Sequence, residues 1–383
     1  MRFRSFWAPA EANPKRKNGW LDPASKSEST SGRTIAPERR MRGVEHILTQ
    51  VGSVDLASHN HDVRIGQCPN MARLVVIITL AATSVPALGV DGGVGRSLPG
   101  AWVMPQGGVI GPDPGFSLTV VPVGYSGSIS GTQEIPIAGT LVTGISTDVS
   151  ANYLVPRYVY KTEIPRINLA STLMVPVNWV GATAAAQAGD LVHSTSNAKA
   201  GLGDIIMSPL SVGIHLSNTN NLAISCMIFA PTGAFTKGNI SNTGLGIWTF
   251  MPNIAHTYEW PKQGVELDNF VGFDIYRHNA TTNYSSGTIF HWASMLLKYV
   301  SEKRVGFGGI VSNVVQLNND TGPLADVLHG LQGRAWGSGP VALFVARHEN
   351  PGVTIQFRWV REFEVRDRLK GDVLLLGLTL KLD

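Results

Sequence analysis

Two long runs of alternating residues, joined by a short turn, constrain the fold of this chain more than any other feature. From Trp248 to Trp260, large apolar residues recur at most second positions, and the residues between them are mainly small or polar. After the turn Pro261–Gln263 the alternation resumes as far as Ile275, with acidic residues and glycine on the second face. A period of two predicts β-strands, and two such runs around a short turn predict a hairpin.

The length of these runs favours a membrane barrel over a soluble sheet. Each run is longer than a typical strand of about 5–6 residues and exceeds the about 9–11 residues with which a tilted strand crosses a bilayer. One face is apolar and rich in aromatic residues, and the other is charged. This combination is typical of the wall of a transmembrane β-barrel, whereas a β-sandwich usually has shorter strands.

The same alternation recurs along the chain and predicts about twelve strands. They lie at 116–126, 149–161, 167–179, 202–216, 221–231, 245–260, 264–277, 286–300, 304–317, 331–347, 352–365 and 371–382. Short connections such as Pro261–Gln263 alternate with longer ones such as Gly127–Asp148 and Val180–Gly201. We therefore predict an all-β fold over residues 116–383, a transmembrane antiparallel up-and-down β-barrel with both termini on the short-turn, periplasmic side.

The prolines and aromatic residues of these strands predict two further features, irregular strand pairing and contact with lipid headgroups. Five prolines inside predicted strands require bulges or strand ends: Pro156, Pro176, Pro209, Pro252 and Pro340. Aromatic residues cluster near both ends of the strands, where lipid headgroups favour them. The predicted membrane-interface aromatics are Trp248, Phe250, Tyr258, Trp260, Tyr276, Trp292 and Tyr299.

The segment before the barrel has a different character. Residues 1–70 are rich in Ser, Pro, Asn and charge, and they hold 11 basic and 7 acidic residues, which accounts for the whole net charge of +4. The rest of the chain is neutral, so we expect no nucleic-acid partner. Residues 1–70 are interpreted as a disordered tail or as an extension produced by too early a start codon.

A secretory signal peptide is predicted at residues 71–89. Met71 and Arg73 open a short basic region, Leu74 to Ala82 form an apolar core, and small residues near Gly89 offer a cleavage site. A buried core segment is the alternative. Residues 90–115 are rich in Gly and Pro and form either a flexible leader or a plug inside the barrel. Cys226 would be alone in the exported chain, so we expect no disulfide.

Inward-facing charges are the candidate functional residues. Alternation predicts a lumen lining of Glu259, Glu266, Asp268, Asp274, His291, Arg334 and Arg358, since charge on the lipid face is costly. These groups either pair and fill the lumen or line a polar path. We find no nucleophile motif, phosphate loop or zinc spacing, so no enzyme, cofactor or metal is expected. A hydrolase embedded in the wall would need a Ser beside an outward His such as His256.

A set of short motifs from about Phe116 onward resembles the meta-pathway phenol-degradation family, also called the SphA-type transporter family. The motifs are Gly201-Leu-Gly-Asp204, Ser208-Pro-Leu210, Phe229-Ala-Pro-Thr-Gly233, Trp248-Thr-Phe250 with Pro252, Tyr284-Ser-Ser-Gly287 with Phe290-His291, Gly339-Pro340, Arg358-Trp359 with Glu362-Phe363, and Arg368-Leu-Lys-Gly-Asp372. The resemblance implies an outer-membrane barrel associated with the degradation of aromatic compounds.

We therefore expect a bacterial outer-membrane channel for passive uptake of small hydrophobic or aromatic compounds. Its expected partners are outer-membrane lipids, the barrel-assembly machinery and the solutes themselves. A structural or adhesive barrel without transport is the alternative, and a barrel-embedded hydrolase is a third. A continuous path past the inward charges would separate the first two.

Overall fold

The computed structural model describes residues 95–129, 134–188, 191–300, 304–347 and 352–382. The predicted N-terminal extension (1–70), the signal peptide (71–89) and residues 90–94 lie outside this part of the chain. The strands are β1 (Gly115–Ser128), β2 (Glu134–Ile137), β3 (Thr140–Thr143), β4 (Ile145–Tyr160), β5 (Ile167–Ala188), β6 (Leu191–Leu202), β7 (Ile206–Ser217), β8 (Asn220–Phe229), β9 (Thr249–Trp260), β10 (Val265–Tyr276), β11 (Ile289–Val300), β12 (Val305–Gln316), β13 (Arg334–Arg347), β14 (Gly352–Arg366) and β15 (Lys370–Leu382).

Twelve of these strands close into an antiparallel barrel. The main sheet has 13 strands in the order β4-β1-β15-β14-β13-β12-β11-β10-β9-β8-β7-β5-β6, and β4 also pairs with β5. Strand β6, at the end of this order, pairs only with the second half of β5. The other twelve strands form the closed ring. The first and last strands are neighbours, from Phe116↔Leu382 to Ser128↔Lys370. The ring leaves its strands no unpaired edge, which confirms the predicted all-β barrel.

All twelve predicted strands are present, as β1, β4, β5 and β7 to β15. Three strands were not predicted, because 127–148 and 180–201 were interpreted as loops. The first loop holds the β2–β3 hairpin, whose turn at Ala138 and Gly139 has φ values of 47° and 82°. The second holds the end of β5, which is 22 residues long, and β6. Its Ser, Asn and Ala residues lack the apolar alternation on which the prediction depended.

The long loops also contain α1 (Pro323–Val327), between β12 and β13. No helix of the described residues is both long and apolar enough to span a membrane. Most of the strand prolines lie inside a ladder rather than at bulges or ends. Only Pro209 falls within a register shift, between Met207 and Ser211 of β7. The others have direct partners, in the pairs Pro156↔Leu118, Pro176↔Tyr153, Pro252↔Cys226 and Pro340↔Gly309.

The two faces of the barrel wall differ in polarity as the alternation predicted. Large apolar side chains are exposed on the outside, among them Ile254, Phe273, Phe357 and Leu376. Glu266, Asp268, Asp274 and Arg358 are at most 1 % exposed and face the interior. Such a wall suits lipid outside and a polar, hydrogen-bonded interior.

Residues 95–114, called the inner segment below, run through the barrel interior before β1. At the long-loop end, the Arg96 guanidinium donates to the carbonyl of Ile247 at 3.1 Å. At the short-turn end, the Asn168 amide donates to the carbonyl of Ile110 at 2.8 Å. The inner segment therefore reaches from one end of the wall to the other. Whether it blocks passage stays a prediction.

Candidate functional site

A cavity of about 230 Å³ lies among the inner segment, the barrel wall and the long loops. Inward residues of β1, β4, β5, β7 and β8 form its wall, while the β2–β3 hairpin and loop 230–248 cover it. Most of its lining is apolar, and the large side chains include Trp102, Tyr125, Tyr153, Ile206, Phe229 and Phe235. The cavity therefore lies under the long loops, at one end of the barrel.

Two aromatic rings and one cation meet on one wall of this cavity. Trp102 packs edge to face against Phe229, with ring centroids 5.9 Å apart. The Trp102 indole N–H donates to the Ser97 hydroxyl at 3.2 Å, which fixes the ring. The Arg96 guanidinium lies over Phe229, 5.0 Å from the ring centroid. Because the polar atoms of these residues are engaged, the rings present an apolar surface to the cavity.

Arg96 and Asp204 form a buried ion pair at the edge of the cavity, with a nitrogen to oxygen distance of 2.6 Å. Asp204 also accepts the backbone N–H groups of Gly233 and Leu245, at 2.8 and 2.9 Å. The backbone N–H of Arg96 donates to the Tyr276 hydroxyl at 3.0 Å. The pair thus ties the inner segment to the wall and to both ends of the covering loop, and its charges are neutralised within the site.

Asn178, which lines the cavity, has one polar atom without a partner among the described residues. The Asn178 amide nitrogen donates to the carbonyl of Thr243 at 3.0 Å. The Asn178 amide oxygen is buried and accepts no hydrogen bond from the described residues. Buried acceptors without partners are costly, so Asn178 has the capacity to accept one further hydrogen bond.

Five of the seven predicted lumen residues are buried and face the interior. Glu266 accepts the backbone N–H of Gln106 at 3.0 Å, and Arg358 donates to the carbonyls of Gly100, Ala101 and Val103. Both residues therefore hold the inner segment.

The other three join residues of the wall. Asp268 accepts from the Thr257 hydroxyl at 2.6 Å, and Asp274 lies 3.3 Å from the ring of His291. These inward charges are therefore engaged within the barrel.

The other two predicted lumen residues differ from each other. Glu259 faces the interior, because it lies opposite Glu266 in the sheet and shares the inner face of β9 with the buried Thr257. Glu259 is half-buried near the short turn that follows β9.

Arg334 is half-buried, and its neighbour Ala335 is fully buried on the inner face of β13. Trp336, two residues beyond Arg334, contacts the outward Trp292 at 6.5 Å between ring centroids. Strand alternation therefore places Arg334 on the outer face at the long-loop end, which corrects its assignment to the lumen.

The predicted membrane-interface aromatics separate into two groups. Trp248, Phe250 and Trp260 are exposed on the outer face, and Tyr258 and Trp292 are half-buried there, with Tyr258 against Trp260.

Tyr276 and Tyr299 face inward instead, so their interface assignment was wrong. The Tyr276 hydroxyl contacts Arg96, and the Tyr299 hydroxyl donates to Glu266 at 3.1 Å. Each shares its strand face with a buried inward residue, Asp274 and Leu297 respectively.

The outward histidine lacks the contact that a hydrolase would need. His256 contacts Asn220 at 2.9 Å and Asn269 at 3.2 Å. Ser294 of β11 donates to Asn269 of β10 at 2.8 Å, so a whole strand separates Ser294 from His256 of β9. A serine and histidine do meet at Ser285 and His278, but this contact lies in a loop rather than on the wall. Among the described residues, no group of three or more His, Cys, Asp or Glu is placed to hold a metal ion.

The cavity residues were not assigned a role from the sequence. Asp204 and Phe229 stand in motifs that were noted only for their resemblance. Arg96 and Trp102 belong to the Gly- and Pro-rich segment that was considered a leader or plug. A lone arginine in that segment, opposite a wall with an excess of inward acids, was the available signal.

Comparisons with known proteins agree with this architecture. Residues 130–376 match the model of the family described as "Putative MetA-pathway of phenol degradation". An outer membrane channel from Pseudomonas putida F1 aligns with 75 % of this chain and 100 % of its own, at 14 % identity and a TM-score of 0.56. A FadL homologue from Pseudomonas aeruginosa aligns with 78 % of this chain and 99 % of its own, at 9 % identity and a TM-score of 0.40. No curated protein matches the chain. The first structure shows that the fold is that of an outer-membrane barrel.

Proposed function

Because this chain belongs to the MetA-pathway of phenol degradation family, we propose that it is an outer-membrane channel for passive uptake of small hydrophobic or aromatic compounds. Entry is from the long-loop side, and the solute is captured in the cavity between the inner segment and the wall. The family description and the resemblance to an outer membrane channel support this proposal.

The observation that carries the proposal is the size and lining of the cavity. Its volume of about 230 Å³ exceeds the about 150 Å³ of an apolar protein cavity that binds benzene. The Trp102 and Phe229 rings offer edge and face contacts to an aromatic ring. A single-ring compound therefore fits, and the unpartnered Asn178 oxygen favours one that carries a hydroxyl donor, such as phenol.

We also propose that the barrel resides in the bacterial outer membrane, after export directed by the segment from Met71. Outer-membrane lipids and the barrel-assembly machinery are then its partners. The exposed apolar wall and the outward aromatic residues Trp248 and Trp260, at opposite ends of β9, support this location.

Uptake of labelled phenol by cells that produce the full chain tests the proposal. Phe229→Ala should raise the half-saturating phenol concentration by about threefold to tenfold, because aromatic contacts are worth about 0.5–1.5 kcal/mol. Phe307→Ala is the matched control, since Phe307 is 53 % exposed on the outer wall. Equal uptake by cells with and without the chain would refute the channel.

A structural barrel without transport is the second candidate, because the inner segment reaches from one end of the wall to the other. Conductance of the purified chain in a planar lipid bilayer separates the two functions. Discrete openings would favour the channel. A barrel that gel mobility shows to be folded, but that gives no conductance, would favour the structural role.

A further inference from the structure

Arg157 faces the interior at the short-turn end of the barrel. In β4, Ala151 is buried and Tyr153 lines the cavity, and strand alternation places Arg157 on the same inner face. Tyr158 and Tyr160, which follow it, are exposed on outer positions typical of the headgroup level. Arg157 therefore lies near the periplasmic mouth, about 13 Å along the strand from Tyr153 at about 3.3 Å per residue.

Unlike the other inward arginines, Arg157 has no partner among the described residues. Its Nε atom is buried without a hydrogen bond. By contrast, Arg96 pairs with Asp204 at 2.6 Å, Arg368 pairs with Glu362 at 3.5 Å, and Arg358 donates to carbonyls of the inner segment. Burial of a guanidinium group without a nearby carboxylate costs free energy unless another group neutralises its charge. The position of Arg157 therefore favours binding of an anion from solution.

The strands beside Arg157 add hydroxyl groups rather than acids. Its direct partners in the sheet are Ser117 of β1 and Thr172 of β5, and directly opposite residues have Cβ atoms about 4.5–5.5 Å apart. Further along the β1–β15 seam, the Thr119 and Thr379 hydroxyls contact each other at 3.0 Å. Hydroxyls can donate to an anion without neutralising the guanidinium.

We propose that Arg157, with Ser117 and Thr172, forms an exit-side binding site for the carboxylate of an aromatic acid. A guanidinium binds a carboxylate through two parallel hydrogen bonds. An apolar, aromatic-lined cavity precedes this site on the way to the periplasm, so a solute with one ring and one carboxylate matches both. The ring preference rests on the proposed uptake function, whereas the carboxylate preference rests on Arg157 alone.

Binding of benzoate to the purified full chain in detergent, measured by isothermal titration calorimetry, tests the site whether or not the barrel conducts ions. Arg157→Gln should weaken benzoate binding by about tenfold or more, because hydrogen bonds to charged groups are strong. Arg157→Lys keeps the charge but loses the two parallel hydrogen bonds, so it should weaken binding by a few-fold and preserve the preference for anions. Arg361→Gln is the matched control, since Arg361 is 60 % exposed at the opposite end of the barrel.

Unchanged benzoate binding in Arg157→Gln, or in Arg157→Lys if the glutamine variant does not fold, would overturn the proposal. Acetate serves as a second probe, because it has the carboxylate but no aromatic ring and so reports on the anion site without the cavity. If Arg157→Gln weakens both anions but Phe229→Ala leaves phenol uptake unchanged, the anion site stands and the aromatic cavity fails. If Phe229→Ala weakens phenol uptake but Arg157→Gln leaves the binding of both anions unchanged, the aromatic cavity is supported and the anion site is refuted.

Discussion

Arg96 and Asp204, which are 108 positions apart in the chain, form the ion pair that joins the inner segment to the wall of the barrel. Their side chains are 8 % and 2 % exposed. The same arginine lies over Phe229, and the same aspartate holds both ends of the loop that covers the cavity. The capture site therefore depends on this pair.

Removal of one partner should destabilise the barrel. Arg96→Ala leaves Asp204 buried and unpaired, and loss of one member of a buried pair costs about 3–5 kcal/mol. Urea unfolding followed by gel mobility would measure the loss. Arg361→Ala is the control, because its partner Asp372 is at the surface and exposed pairs contribute about 0–1 kcal/mol. Equal losses in the two variants would contradict the role of the Arg96–Asp204 pair.

Substitutions at two glycines can test whether close packing of the inner segment against the barrel wall restricts passage. A Cβ atom at Gly108 would lie 2.5 Å from the backbone nitrogen of Thr257, whereas one at Gly111 would meet nothing within 4 Å. Gly108→Val should force the inner segment away from the wall and raise single-channel conductance, while Gly111→Val should leave conductance unchanged. If both variants conduct like the unmodified chain, the inner segment does not restrict passage.

Selectivity for a hydroxyl should depend on Asn178. Asn178→Leu removes the free acceptor, so half-saturation for phenol should rise by about fivefold while that for toluene falls, given about 1 kcal/mol for one net hydrogen bond. Asn152→Leu, on the exposed face of β4, is the control. Parallel changes for phenol and toluene would show that the amide oxygen does not distinguish them.

The outer wall should reject charge. Leu376 is 44 % exposed in the middle of β15, and an arginine at the bilayer midplane costs about 2–4 kcal/mol. Leu376→Arg should lower the free energy of unfolding in lipid by that amount, and Leu376→Met should change it little. A neutral effect of the arginine would place this face away from lipid.

The barrel could be predicted from the sequence because its rule is local. Lipid outside and polar groups inside impose a period of two on every strand that crosses the membrane, so all twelve ring strands were found. The rule fails in β6, which lies outside the ring of twelve and is built from Ser, Asn and Ala without alternation. Tyr276 was misplaced because its position near a strand end was given more weight than the face it shares with Asp274.

The cavity could not be predicted in the same way. Arg96, Trp102 and Phe229 meet only because the inner segment enters the closed barrel, and no period along the chain encodes that path. The partners of Glu266 and Arg358 likewise come from backbone atoms of the inner segment. Alternation could place these charges inside, but it could not show what they bind.

The most direct test of aromatic capture is a crystal structure of the full chain soaked with 4-bromophenol. We expect an anomalous bromine peak in the cavity beside Trp102 and Phe229, with the hydroxyl next to the Asn178 amide oxygen, and a loss of that peak in Phe229→Ala. Bromophenol bound only on the outer, lipid-facing wall, with the cavity empty of bromine, would contradict aromatic capture in the cavity.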